Sequence, residues 1–177
     1  MDWTGALNSP ELSGSISNNL RIYGSLKLIP GMNFTFLGQV MFESTSLGRT
    51  ITTGGNSLNN NVYFQGVGGG WTFVDAFTTS GSLLLITVNL NSNSQLVNCS
   101  QFNSANANVR TFVLGSSIFT VNAPFNTPGF TIQTTNLTFD PGTSLFKVYY
   151  SADTCLIFGN QSLLLYNLEL INNSTSC

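Results

Sequence analysis

The sequence predicts an all-β fold, and within that class a right-handed parallel β-helix, a solenoid of short strands. Three observations lead there. Only 7% of the 177 residues are charged, against roughly 25% in an ordinary soluble domain, while 42% are hydrophobic. Short apolar-x-apolar triplets recur along the whole chain. Clusters of Gly, Asn, Ser and Pro separate them.

The charge deficit removes helices first. Amphipathic helices carry their solvent face on Glu, Lys, Arg and Gln, and this chain has almost none to place there. Asn, Ser, Thr and Gly stand in their stead, so the surface is neutral and polar. The hydrophobic content is enough for one sizeable core, and residues 1–177 read as a single repetitive segment, one domain or one contiguous stretch of a longer array.

The triplets have the period-2 pattern of strands three to six residues long. Leu20-Arg21-Ile22, Leu26-Lys27-Leu28, Phe34-Thr35-Phe36 and Val40-Met41-Phe42 come first, then Val62-Tyr63-Phe64 and Trp71-Thr72-Phe73. Leu83 to Leu90, Leu96, Phe102, Phe112, Ile118 to Val121, Phe130-Thr131-Ile132 and Leu137-Thr138-Phe139 continue the series. Leu145 to Val148, Leu156 to Phe158 and Leu163 to Leu170 close it.

Pro30-Gly31, Gly54-Gly55-Asn56, Gly68-Gly69-Gly70, Ser80-Gly81-Ser82, Pro128-Gly129 and Asp140-Pro141-Gly142 lie between strands. Each supplies a residue that tolerates positive φ or presets a turn. Frequent turns and short strands fit either a solenoid or, as the alternative, an antiparallel β-sandwich. Three features favour the solenoid. Three triplets at intervals of roughly 6 to 12 residues make a coil of about 20 to 25. Asn recurs beside the turns, as at Asn59-Asn60-Asn61, Asn89, Asn91, Asn93, Asn98, Asn103, Asn106 and Asn108, where stacked coils would let amides form ladders. Apolar residues take one face of each triplet and Ser, Thr, Asn and Gln the other, as when each coil buries its interior against its neighbours.

Composition also excludes functions. Arg21, Lys27, Arg49, Arg110 and Lys147 are scattered and the net charge is −2, so the chain cannot neutralise a run of phosphates and no nucleic-acid partner is expected. The longest apolar run, Leu83-Leu84-Leu85-Ile86, falls far short of the roughly 20 residues of a membrane-spanning helix. Met1-Asp2-Trp3-Thr4 has neither a basic nor an apolar signal region, and any export signal is expected upstream. Cys99, Cys155 and Cys177 are too few for a disulfide scaffold. Cys99 and Cys155 are expected as small buried residues or as one bridge, with Cys177 open to a partner elsewhere.

No catalytic, cofactor-binding or metal-binding residue is assigned. With no His, Ser-His-Asp and Cys-His arrangements are impossible. Asp2, Glu11, Glu43, Asp75, Asp140, Asp153 and Glu169 stand far apart, whereas a polysaccharide lyase or hydrolase needs grouped carboxylates. Asp75 and Asp140 precede turns and are expected to cap backbone N–H groups. Arg110 is expected to pair with Asp75 across coils. Gly66-Val67-Gly68-Gly69-Gly70 lacks the Lys-Ser/Thr ending of a phosphate loop and reads as a flexible turn or a bulge making room for Trp71. Asn-x-Ser/Thr occurs at Asn33, Asn98, Asn136, Asn160, Asn172 and Asn173, close to the roughly five matches that such a composition yields by chance. Thr50-Ile51-Thr52, Thr131 and Thr138 invite comparison with an ice-binding face, but no Thr-x-Thr recurs coil after coil. Trp3, Tyr23, Trp71, Tyr149, Tyr150 and Tyr166 would form a carbohydrate-stacking strip only if they faced outward together, and an inward stack is expected at the triplet positions.

Three stretches carry a family resemblance. They are Trp71-Thr72-Phe73-Val74-Asp75-Ala76-Phe77-Thr78-Thr79-Ser80-Gly81-Ser82-Leu83, Leu96-Val97-Asn98-Cys99-Ser100-Gln101-Phe102-Asn103-Ser104, and Val109-Arg110-Thr111-Phe112-Val113-Leu114-Gly115-Ser116-Ser117-Ile118-Phe119-Thr120-Val121. They resemble the large repetitive surface proteins of Bacteroidota, the gliding-motility adhesins and related cargo of the type IX secretion system. In place of that family's usual Asn-Gly turn stands Leu90-Asn91-Ser92-Asn93. The resemblance implies a structural or adhesive filament segment without catalysis, extracellular and at the cell surface. Its implied partners are flanking repeats of the same protein, other surface-fibre subunits and surface polysaccharide. A carbohydrate-binding or polysaccharide-processing β-helix is the alternative reading.

Overall fold

The computed structural model describes residues 1–124, 127–150, 156–159 and 162–172. Among them there is no helix. The first coil holds β1 (Glu11–Gly14), β2 (Asn19–Ile22) and β3 (Leu26–Lys27), and the second β4 (Asn33–Phe36), β5 (Gln39–Phe42) and β6 (Arg49–Thr52). The third holds β7 (Val62–Phe64) and β8 (Gly70–Phe73), the fourth β9 (Phe77–Thr78), β10 (Ser82–Leu85) and β11 (Asn89–Asn91). The fifth comprises β12 (Val97–Cys99), β13 (Gln101–Ser104) and β14 (Arg110–Val113), the sixth β15 (Ile118–Asn122), β16 (Phe130–Ile132) and β17 (Leu137–Asp140). The seventh carries β18 (Leu145–Tyr150) and β19 (Leu156–Phe158), and β20 (Asn167–Asn172) starts another level.

Like positions stack into three parallel sheets. The first face is β2-β5-β7-β10-β13-β16-β19, the second β3-β6-β8-β11-β14-β17, and the third β9-β12-β15-β18-β20. In the first two coils β1 and β4 pair separately, at the place that β9 and β12 take later. Every strand pairing between the described elements is parallel, which rules out the antiparallel sandwich. The coil length varies more than the triplet spacing predicts. Phe102 stands 19 residues after its partner Leu83, and Phe130 stands 28 after Phe102. Turns absorb the difference, because strand register fixes only which residues stack.

Alternation along each strand puts one set of side chains inside, where ladders form along the axis. On the first face Leu20, Val40, Val62, Leu83, Phe102 and Phe130 succeed one another. On the third, Phe77, Val97, Phe119 and Phe146 do. Rings dominate this core. Phe42 stacks on Phe64 at 4.9 Å and meets Trp71 edge-on at 4.8 Å, while Phe73 lies flat on Phe77 at 4.4 Å. A second group joins Phe102 to Phe112 at 5.0 Å and to Phe130 at 4.9 Å. Aromatic pairs at these separations add about 0.5–1.5 kcal/mol each beyond the area they bury.

Turns between faces pack as closely as the core. A Cβ on Gly66 or Gly69 would run into the carbonyl oxygen of Ser44 in the preceding coil, so this glycine-rich stretch is a tight inter-coil contact beside Trp71. The turn amides do not build ladders of Asn upon Asn. Instead they donate to backbone carbonyls of the coil before: Asn59 to Phe34, Asn60 to Leu37, Asn93 to Phe73, Asn106 to Leu85 and Asn136 to Ala107, at 2.7–3.0 Å. Leu37 and Ala107 lie in turns and Phe34, Phe73 and Leu85 in strands, and in each case the amide satisfies a carbonyl that stacked amides would leave without this donor. Asn93 and Asn136 also take positive φ, as the turn reading anticipated.

The two ends differ. At the start Asp2 bridges Lys27 in parallel and Trp3 packs against the core. At the other end Leu168 and Leu170 sit above Phe146 and Val148 in the interior ladders. They are nevertheless 39% and 47% exposed, whereas Phe146 and Val148 are 1% and 0%.

Candidate functional site

Carboxylates are the first candidates, and the fold spends each described one locally. Asp75 accepts from the N–H groups of Thr53 and Gly54, both at 2.7 Å, and so caps a turn of the preceding coil. Asp140 accepts from the N–H of Gly142 at 3.0 Å. Glu11 accepts from the Thr35 hydroxyl at 2.6 Å, Asp2 from Thr4, and Glu169 pairs with Lys147 at 3.2 Å. Asp153 lies outside the described residues. No group of three or more His, Cys, Asp and Glu converges among the described residues.

The expected Arg110–Asp75 pair is not formed. Arg110 is turned inward, and its guanidinium donates to the Ser104 hydroxyl at 2.6 Å and to the carbonyls of Ser104, Asn108, Thr135 and Gln133. Desolvation lowers its pKa. Asp75 cannot reach it because both its oxygens are committed to the Thr53–Gly54 turn.

Cys99 is a buried free thiol, in line with the small buried residue expected there, and burial pushes its pKa up. Cys155, Cys177, Asn160 and Asn173 lie outside the described residues. Thr50 and Thr138 are on the outer side of the second face, but Thr131 is on the first, so the three share no face. Trp71 and Phe73 are inside the coils at 1% exposure each, which removes both from any outward aromatic strip. Tyr149 and Tyr150 are half-buried.

What remains is a surface that sequence reading did not single out, the outer side of the first face. Its register aligns three columns along the axis. One runs Asn19, Gln39, Asn61, Ser82 and Gln101, the next Arg21, Met41, Tyr63, Leu84, Asn103 and Thr131. The third follows from backbone bonds of Glu43 to Ile22, Gln65 to Phe42 and Ile86 to Phe64, which align Tyr23, Glu43, Gln65 and Ile86.

Here the most connected surface cluster forms. Arg21 Nη1 meets Glu43 Oε1 at 2.8 Å, and the Gln65 amide donates to the same oxygen at 2.7 Å. Burial pushes the Glu43 carboxyl up, but the hydrogen bonds of Tyr23, Gln65 and Arg21 outweigh it and hold the carboxyl below the usual range. Tyr23 is 61% exposed at the edge of this cluster. Alternation in Leu20-Arg21-Ile22 and Val62-Tyr63-Phe64 is a sequence signal that could have placed Arg21 and Tyr63 outside. Their shared column depended on coil register.

Fold and surface together define a parallel β-solenoid with an amide-rich and aromatic outer face. No protein-family model, curated protein or solved structure matches the chain.

Proposed function

We propose that this chain is a structural and adhesive segment of an exported surface protein, a stiff stalk or filament section that works without catalysis. The carrying observation is its construction as one continuous axial stack. Seven first-face strands lie in parallel register over a single core. Coils of this kind each bury only their neighbours, so the stack continues wherever another coil can dock. Flanking repeats of the same protein or other fibre subunits are the partners this reading implies. The neutral polar exterior suits contact with other surfaces, and the resemblance to Bacteroidota gliding-motility adhesins and type IX secretion cargo points the same way.

Gold-labelled antibody against the chain, viewed on whole cells of the source organism by electron microscopy, tests this. Label along filaments at the cell surface is the expected result, and label confined to the cell interior overturns the reading. Release of new reducing ends or unsaturated sugars from polysaccharide incubated with the purified chain would overturn the non-catalytic part.

A further inference from the structure

We infer that the outer side of the first face binds an uncharged, extended polysaccharide chain laid along the solenoid axis. This rests on the adhesive reading above and assigns it a surface and a ligand class. Tyr63 stands one strand beyond Met41, which stands one beyond Arg21, while Tyr23 lies two residues after Arg21. Strands in a sheet are about 4.8 Å apart, so the two tyrosines sit two levels, roughly 10 Å, from one another along the axis and about 7 Å apart across it, in adjoining columns. That is a spacing on the order of two sugar rings in an extended chain.

A tyrosine offers an apolar ring to the C–H face of a pyranose and a hydroxyl to its edge. Among the described residues the Tyr63 hydroxyl and the Gln39 amide have no hydrogen-bond partner, whereas Arg21, Gln65 and Asn61 are engaged. Both groups are half-buried on strands whose backbones are locked by neighbours above and below. They are free to meet sugar hydroxyls, and an amide matches those as both donor and acceptor.

Charge selects among polysaccharides. Arg21 and Glu43 are the only ionised side chains in the three columns, and they neutralise each other at 2.8 Å. No free cation is left to hold a uronate, sulfate or phosphate, so the ligand is neutral. The second face is less suited. The outer side of the second carries Thr50, Thr72, Asn91 and Val113 in one column, with no ring.

Native affinity electrophoresis of the purified chain, in gels containing hydroxyethyl cellulose, xylan or polygalacturonate, tests the inference. Retardation in at least one neutral gel is expected, reduced at least threefold by Tyr63→Ala and by Tyr23→Ala and unchanged by Thr72→Ala on the second face. Thermal melts of the variants separate lost binding from lost folding. Retardation that survives both tyrosine variants overturns the inference, as does retardation confined to polygalacturonate or none in either neutral gel. Failure here with surface filaments still labelled leaves the stalk reading standing. Interior label with retardation intact leaves the glycan site standing instead.

Discussion

Ser104 occupies an interior ladder position that Phe42, Phe64 and Leu85 fill in earlier coils, and its hydroxyl accepts from Arg110 Nε at 2.6 Å. The small side chain opens a polar notch in an apolar core, and the guanidinium fills it. All of its partners are neutral oxygens, four of them backbone carbonyls, three in turns and one that of Ser104 on β13. The residue thus ties two turns of neighbouring coils to one strand.

Removing that tie is costly. Arg110→Ala is expected to destabilise the fold by about 3 kcal/mol, since it leaves buried carbonyls without donors and an empty notch. Ser104→Ala should cost less, about 1–2 kcal/mol, because one acceptor of five is lost. Urea denaturation of both variants and of the double variant measures the coupling, which is expected to exceed 0.5 kcal/mol.

Asp75 predicts a smaller and more local effect. Its two oxygens hold the N–H groups of Thr53 and Gly54, and Gly54 has a φ of +60°. Asp75→Ala should lower stability by about 1–2 kcal/mol, as for loss of a capping side chain. Amide exchange should show faster opening at residues 53 and 54 than elsewhere in the third coil.

Glycines divide sharply by what lies beside them. Gly69→Ala drives a methyl group into the Ser44 carbonyl, and a loss of at least about 2 kcal/mol is expected. Gly24 has nothing within 4 Å of a new Cβ, and Gly24→Ala should leave the melting temperature within a degree or two. Equal effects at both positions would contradict the inter-coil contact.

The core is graded along the axis. Phe102→Ala, in the middle of the second ring cluster, should cost about 3–5 kcal/mol. Leu168→Ala should cost under about 1 kcal/mol, because that side chain is already 39% exposed.

Acid should weaken the fold partly through Glu43. Its carboxyl has a lower pKa when folded than the ordinary glutamate value of 4.5, so its contribution is fully present above that value and lost as the pH falls through the folded pKa. Glu43→Gln is expected to flatten the fall in melting temperature below pH 4.5, and an unchanged pH profile would contradict the cluster geometry.

Much of the architecture was legible in the residue pattern. Alternation in Phe34-Thr35-Phe36 or Val62-Tyr63-Phe64 states which side is buried, and scarcity of charge removes helices from consideration, because both are local properties of the chain. The turn capping by Asp75 and Asp140 was equally readable, although Asp75 caps a turn of the coil before its own. Asn amides beside turns were visible too, but their choice of carbonyls over one another was not.

Register was beyond the sequence, because coils 19 to 28 residues long can be stacked in many ways that keep every triplet apolar inside. Only the folded stack decided that Ser104 falls where Leu85 and Phe64 stand, which draws Arg110 inward and away from Asp75. The same stacking set Tyr23, Glu43 and Gln65 in one column and Thr131 apart from Thr50. Sequence by itself fixed the class of fold and the inside and outside of each strand, since those depend on neighbours two residues apart. Tertiary structure alone decided which outward side chains meet, since that depends on neighbours a whole coil away, and turn lengths set the coil.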